Sequence, residues 1–179
     1  MNLYIVRHGQ TDYNLNNIIQ GISDIPLNLN GIGQIQKLKG RVDKLKIDLA
    51  ITSPVLRTRQ TTQILLGTRN VPIIIDKRIT ERKMGILEGK SIKMYDAKAY
   101  WNYKLNYDNN EQVEKIWDLF DRTRAFLIDI IKTYPDKNIL LVSHGATIRA
   151  LHYNIVGFNE SDYLLNFKVP NGCLFKYYI

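Results

Sequence analysis

Four short apolar runs, at residues 3–6, 49–52, 71–75 and 139–142, alternate with stretches of helical periodicity, and this alternation constrains the fold more than any other feature. The runs are built from Leu, Ile, Val, Ala, Thr and Tyr, with Pro72 near the start of the third. Runs that are apolar at nearly every position, rather than at every second one, read as strands buried on both faces. Between them, Ile32, Ile35, Leu38, Val42 and Leu45 recur at steps of three and four, which is one face of a helix. Ser53 and Pro54 supply an N-cap and a first helical residue for a helix reaching about Leu66. Val113, Ile116, Trp117, Phe120, Leu127, Ile130 and Ile131 mark a long amphipathic helix over 111–134, with Asn109 or Asn110 as its cap and Pro135-Asp136 as its stop. A further helix over about 146–156 follows the fourth run. The pattern predicts an α/β fold, a three-layer sandwich with a mainly parallel central sheet and helices on both faces. Residues 9–30 read as loop, and about 82–110 as a small lid or insertion with one or two short helices. Two β-like runs, 165–169 and 174–179, flank the turn signal Pro170-Asn171-Gly172 and predict a closing antiparallel pair. The 179 residues suit a single domain, 1–179.

The net charge of +8, from 25 Lys and Arg against 17 Asp and Glu, favours anionic partners. The cations are scattered in ones and twos, without a basic run and without interleaved aromatics. Neither nucleic acid nor a membrane is therefore expected as a partner, and most of the charge reads as solvated surface. No apolar stretch approaches the roughly 20 residues that span a bilayer, and the N-terminus does not read as a signal peptide. A lone cysteine, Cys173, forms no internal disulfide, so a packed thiol in a reducing cytoplasm is expected. His144 and His152 lack metal-ligand spacing, which argues against zinc. There is no GxxxxGK[ST] loop, no GxGxxG fingerprint and no GxSxG elbow. The C-terminal β-like runs could pair between subunits, so a monomer and a homodimer both fit.

In open α/β sheets, ligands bind beyond the carboxyl ends of the strands. Those ends carry Arg7-His8-Gly9, Ser53-Pro54 with Arg57, Glu81 a few residues beyond the third run, and Ser143-His144-Gly145. Two histidines share one context, strand then His then Gly, and each glycine is expected to let a ligand approach the backbone. One such histidine alone would be read as satisfying a neighbouring carbonyl; two in matching contexts point to function. If the ends converge, two imidazoles, two guanidiniums and a carboxylate share one cleft. Arg7 and Arg57 match phosphate oxygens in planar, bidentate fashion. A neutral imidazole is a competent nucleophile near pH 7. Glu81 suits proton transfer to a leaving oxygen, and a dianionic ester beside it favours its protonated form. Asp76 and Glu88 lie close enough in sequence to compete for that role. Arg57 in a first helical turn is disfavoured by the helix dipole unless an anion binds there; pairing with a surface carboxylate is the plainer explanation. His152, one turn after Ile148, reads as a core or boundary histidine.

These residues resemble the signature of the histidine phosphatase superfamily, phosphoglycerate mutase-like branch. The likeness runs through Arg7-His8-Gly9 with Thr11 and Asn14, Gln20-Gly21, Ser53-Pro54 with Arg57-Thr58, Glu81 with Gly85 and Glu88-Gly89, and Ser143-His144-Gly145 with Ile148-Arg149. The resemblance implies that His8 is the phosphorylated nucleophile. It implies that Arg7, Arg57 and His144 form the phosphate pocket, that Glu81 is the proton donor, and that Asn14, Gln20, Gly21 and Gly145 lie near the substrate. It further implies hydrolysis of a small phosphorylated metabolite with no metal and no organic cofactor. A mutase using 2,3-bisphosphoglycerate is the alternative within the family, and a non-catalytic module holding a phosphorylated ligand is a second. Mutases of the family carry a tyrosine where this chain has Met84, an Arg pair where it offers Tyr100-Trp101-Asn102-Tyr103-Lys104, and Asn where it has Ala146, although Arg82 matches. These departures favour a phosphatase.

Overall fold

The computed structural model describes residues 1–104 and 112–179. Its strands are β1 (Asn2–Arg7), β2 (Leu49–Thr52), β3 (Ile73–Ile75), β4 (Asn138–Ser143) and β5 (Leu174–Tyr178). They form one sheet in the order β3-β2-β4-β1-β5. The first four are parallel and β5 runs antiparallel to β1. The helices are α1 (Asp12–Leu15), α2 (Leu29–Val42), α3 (Leu56–Leu66), α4 (Ala97–Tyr100), α5 (Ile116–Thr133) and α6 (Gly145–Val156).

Side chains alternate across a strand, and the central strands are apolar on both faces for that reason. Leu3, Ile5, Leu49, Ile51, Ile139 and Leu141 pack with Phe126 and Ile130 of α5 and with Ile148 and Leu151 of α6. Tyr4, Val6, Ala50, Leu140 and Val142 pack on the other side with Ile35 and Leu38 of α2 and with Leu65 of α3. Each fully buried Leu or Ile contributes about 1.5–3 kcal/mol of hydrophobic stabilisation. The result is the expected three-layer sandwich. The helices after β1 and β2 cover one face and the helix after β4 covers the other. The connections from β1 and β4, parallel neighbours with Arg7 and Ser143 paired in register, therefore leave to opposite faces. A crevice opens at such a switch point, beyond the carboxyl ends. Among the described residues no helix is long and apolar enough to cross a membrane.

Four local expectations are corrected. The third run forms a strand only over Ile73–Ile75 and is not buried: its isoleucines are 49%, 37% and 55% exposed, because β3 is the sheet edge. The run at 165–169 is not a strand; Leu164–Asn166 form a 3-10 turn. The carbonyls that follow it are taken by guanidiniums, Phe167 O by Arg149 Nε (3.1 Å) and Val169 O by Arg7 Nη1 (2.5 Å), so no ladder forms there. The closing antiparallel pair is instead β5 against β1. The long helix starts at Ile116 with Lys115 at its cap position. Glu114 N donates to Lys83 O and Glu114 O accepts from Arg82 Nε, which keeps the preceding segment out of the helix. The expected caps Asn109 and Asn110 lie outside the described residues. Finally, α3 begins at Leu56, not at Pro54. Ser53 is fully buried and its hydroxyl is bonded to His144, while Leu56 N is capped by Asp24 Oδ1 from the distant first loop.

The first loop contains the short helix α1, capped by Thr11, whose hydroxyl accepts from Asn14 N. The insertion holds 3-10 turns at Gly85–Leu87 and Ile92–Met94 ahead of α4. Cys173 is half-buried just before β5 and packs against the core. His152 stacks on Phe167 at 3.6 Å and bonds Tyr177 Oη at 2.8 Å, a structural setting away from the crevice.

Candidate active site

The ends of β1 and β4 carry the two histidines to within 5.2 Å, ring centre to ring centre. His8 is 1% exposed and His144 fully buried. His8 Nδ1 lies 2.7 Å from Gly9 O, and Nε2 lies 3.2 Å from Arg57 Nε. Arg57 can only donate, so Nε2 accepts and the proton belongs on Nδ1, where it is donated to Gly9 O. Burial, followed by the positive charges of Arg57 and Arg7, holds His8 well below the usual imidazole range. Burial, Arg57 and His8 do the same to His144. Both rings are therefore neutral near pH 7.

Arg57 is fully buried on the first turn of α3, and burial pushes its pKa down to about 10 despite the opposing charge of Glu81. Its Nη1 donates to Ser23 O (2.7 Å) and its Nη2 to Gly21 O (2.8 Å). No surface carboxylate pairs with it among the described residues. Arg7 is anchored through Nη1 to Val169 O, and its Nε has no hydrogen-bond partner among the described residues, nor has His144 Nδ1. His144 Nε2 is 2.8 Å from Ser53 Oγ. Ser53 Oγ accepts from Val55 N (3.5 Å), which leaves its own proton for His144 Nε2 and places the imidazole proton on Nδ1.

Glu81 reaches the same place from the segment after β3. Its Oε1 accepts from Ala146 N (3.1 Å), Thr147 N (3.2 Å) and Arg82 N (3.0 Å). It thus caps α6, whose own cap position is His144 without a side-chain cap bond. Ser143 Oγ to Ile79 O (2.8 Å) and Thr147 Oγ1 to Thr80 O (2.6 Å) tie its segment to β4 and α6. Its two competitors are occupied elsewhere: Asp76 pairs with Arg78 at 2.6 Å, and Glu88 accepts from amides of residues 22, 23 and 84.

A cavity of about 240 Å³ opens beside this cluster and is lined by Arg7, Asn14, Gln20, Gly21, Glu81 and Gly145. Met84, Tyr95, Trp101 and Arg149 line it as well. Arg149 lies over the Trp101 ring at 4.7 Å. Asn14 Oδ1 accepts from Thr11 N, and Gln20 Oε1 from Thr11 Oγ1 (2.9 Å). Both glycines beside the histidines are closely packed, and Gly145 also lines the cavity. A Cβ on Gly9 would sit 2.5 Å from Gly31 O of α2, and one on Gly145 would sit 3.3 Å from Arg7 Cζ. Among the described residues no group of three or more His, Cys, Asp or Glu side chains gathers as a metal site.

The family model for the histidine phosphatase superfamily (branch 1) matches residues 3–178. The chain belongs to the histidine phosphatase superfamily. Its phosphatase class rests on that membership. PhoE of Bacillus subtilis (strain 168), whose name describes an "uncharacterized phosphatase", is 34% identical over 170 residues, covering 95% of this chain and 84% of its own. GpmB of Enterobacter sp. (strain 638), named a "probable phosphoglycerate mutase", is 34% identical over 162 residues, covering 88% and 75%. The solved alpha-ribazole phosphatase of Shigella flexneri superposes with a TM-score of 0.83 at 26% identity, covering 97% of this chain and 88% of that one.

Several contributors to this histidine phosphatase site were not legible beforehand. Asn171 Nδ2 donates to His8 O (3.1 Å) and to Asn14 Oδ1 (3.2 Å), joining the turn before β5 to the first loop. Asp24 caps the helix that carries Arg57. Trp101 and Arg149 line the cavity side by side. Asn171 carried a signal as part of a turn motif, Arg149 as part of the family likeness and Trp101 as part of the insertion; Asp24 is fixed by a contact between distant segments.

Proposed function

We propose that this chain hydrolyses a small phosphorylated metabolite through a phosphohistidine on His8. The observation that carries the reading is the buried His8 ring, with Nδ1 2.7 Å from Gly9 O and Nε2 3.2 Å from Arg57 Nε, which assigns the proton to Nδ1 and the lone pair to Nε2. Nε2 attacks phosphorus, the N–P bond forms, and the ester P–O bond breaks. The proton stays on Nδ1, donated to Gly9 O, and this hydrogen bond stabilises the charged ring. Arg7, Arg57 and His144 donate to the phosphoryl oxygens as charge develops on them. The unpartnered Arg7 Nε and His144 Nδ1 are two such donors, buried and already oriented. Glu81 gives its proton to the leaving alkoxide. It then takes one from the water that attacks phosphorus and releases His8.

The cavity volume suits a metabolite-sized leaving group, and Asn14, Gln20, Gly21, Gly145, Trp101 and Arg149 line it. The reading takes no nucleic acid or membrane as partner, needs no metal or organic cofactor, and places the protein in the cytoplasm, where the lone Cys173 stays reduced. The similarity to GpmB favours a second reading, a mutase primed by 2,3-bisphosphoglycerate. Against it, Met84 rather than a tyrosine lines the cavity, and Arg82 is committed to Tyr100 O and Glu114 O. Phosphate release across a panel of phosphomonoesters tests the proposal. Release without a primer is expected; conversion of 3-phosphoglycerate only with the primer would identify a mutase, and no turnover of any ester would contradict both.

A further inference from the structure

We propose that Glu88 is a positioning residue that sets the Arg57 guanidinium on the phosphoryl site through the backbone of residues 21–23. The proposal rests on the phosphatase reading above and deepens it. Glu88 Oε1 accepts from Ile22 N (3.2 Å) and Met84 N (3.0 Å), and Oε2 accepts from Ser23 N (3.1 Å) and Ser23 Oγ (2.8 Å). One carboxylate therefore holds four donors, three of them amides of two separate segments. The carbonyls of this same loop, Gly21 O and Ser23 O, receive the two Nη groups of Arg57, whose Nε faces His8 Nε2. The chain of contact runs from Glu88 through the loop and Arg57 to His8 without a gap.

The loop is shaped to admit this carboxylate. Gly21 adopts φ +49, and a Cβ there would lie 2.1 Å from Glu88 Oε1, so only glycine leaves room. Hydrogen bonds from Ile19 N to Lys90 O and from Gly89 N to Ile19 O, both 2.8 Å, clamp the flanks. Glu88 is also among the negative charges that favour the protonated guanidinium of Arg57. An ionised carboxylate is acceptor-only, which is what four converging donors require. An amide in its place offers a single acceptor oxygen and turns two N–H groups toward other N–H and O–H groups. The loop then loses its anchor, and the Arg57 fork loses its two fixed carbonyls.

A simple fold-holding role predicts that losses at Glu88 and Arg57 multiply independently; positioning predicts that they do not. The experiment is a double-mutant cycle of Glu88→Gln with Arg57→Lys, read by kcat/KM on p-nitrophenyl phosphate and by orthovanadate affinity, which needs no turnover. Glu88→Gln should lower kcat/KM about 10- to 100-fold in the wild-type background, as for a misplaced catalytic group. In the Arg57→Lys background it should lower it by no more than about twofold. Ser23→Ala, which removes only the hydroxyl bond to Oε2, is the milder variant should Glu88→Gln fail to fold, and its smaller loss should be non-additive in the same way. Equal losses in both backgrounds, or no loss in the wild-type background, overturn the proposal. A wild-type protein that neither turns over the ester nor binds vanadate overturns the phosphatase reading itself.

Discussion

Arg57 Nε donates to His8 Nε2 across 3.2 Å, so the lone pair proposed to attack phosphorus already faces a cation. Both groups are buried, and neither has another partner at those atoms among the described residues. An incoming phosphoryl group must draw this N–H away from the imidazole, and the exchange frees the lone pair at the moment the anion arrives. Arg57 in this account is both a phosphate ligand and the partner that keeps His8 in its Nδ1–H tautomer.

Replacing Arg57 by Lys keeps the charge but not the three-point geometry of Nε, Nη1 and Nη2. We expect kcat/KM on p-nitrophenyl phosphate to fall about 10²–10³-fold, as for loss of a preorganised donor to developing charge. Steady-state kinetics on the folded variant check this, and a loss below about tenfold would show that charge alone suffices.

The two neutral histidines make stability depend on pH over a defined window. In the unfolded chain each titrates near about 6.5, whereas in the folded protein burial and the neighbouring guanidiniums hold both well below that. Above about pH 6.5 neither state binds these protons, and the full stability is present. Below it the unfolded chain binds them and the folded protein does not. Stability then falls by up to about 1.4 kcal/mol per pH unit for each ring. Urea unfolding between pH 7.5 and 5 reads this slope above the range where carboxylates titrate, and a flat profile would contradict buried neutral imidazoles.

For Glu81→Gln the amide oxygen still accepts from Ala146 N or Thr147 N, so α6 keeps a cap and stability should change little. The proton is lost, and kcat/KM on alkyl phosphates should fall roughly 10²–10⁴-fold. The loss should shrink on p-nitrophenyl phosphate, whose leaving group needs no acid. An equal loss on both kinds of ester would remove Glu81 from the role of acid.

The layers and the convergence of strand ends were legible in the sequence because β1, β2 and β4 are apolar on both faces and each ends in polar residues. The site residues His8, Arg7, Arg57, Glu81 and His144 gather where the alternation of strands and helices directs them. What escaped was set by tertiary bonds. Ser53 looks like a helix cap, yet its hydroxyl serves His144, and Asp24 caps α3 from 32 residues away. The run at 165–169 has strand composition, but its own carbonyls at Phe167 and Val169 bind Arg149 and Arg7. Ile73, Ile74 and Ile75 look like core and lie on an edge. Gly9 suggests room for a ligand, but a Cβ there would meet Gly31 O of α2 at 2.5 Å.

The central claim is that His8 carries the phosphoryl group. The most direct measurement is a rapid acid-free quench of the protein turning over a ³²P-labelled phosphomonoester, followed by mapping of the label. Label on His8 Nε2, absent from His8→Ala together with the activity, is the result expected. Full turnover by His8→Ala, or label on any other residue, would contradict the account.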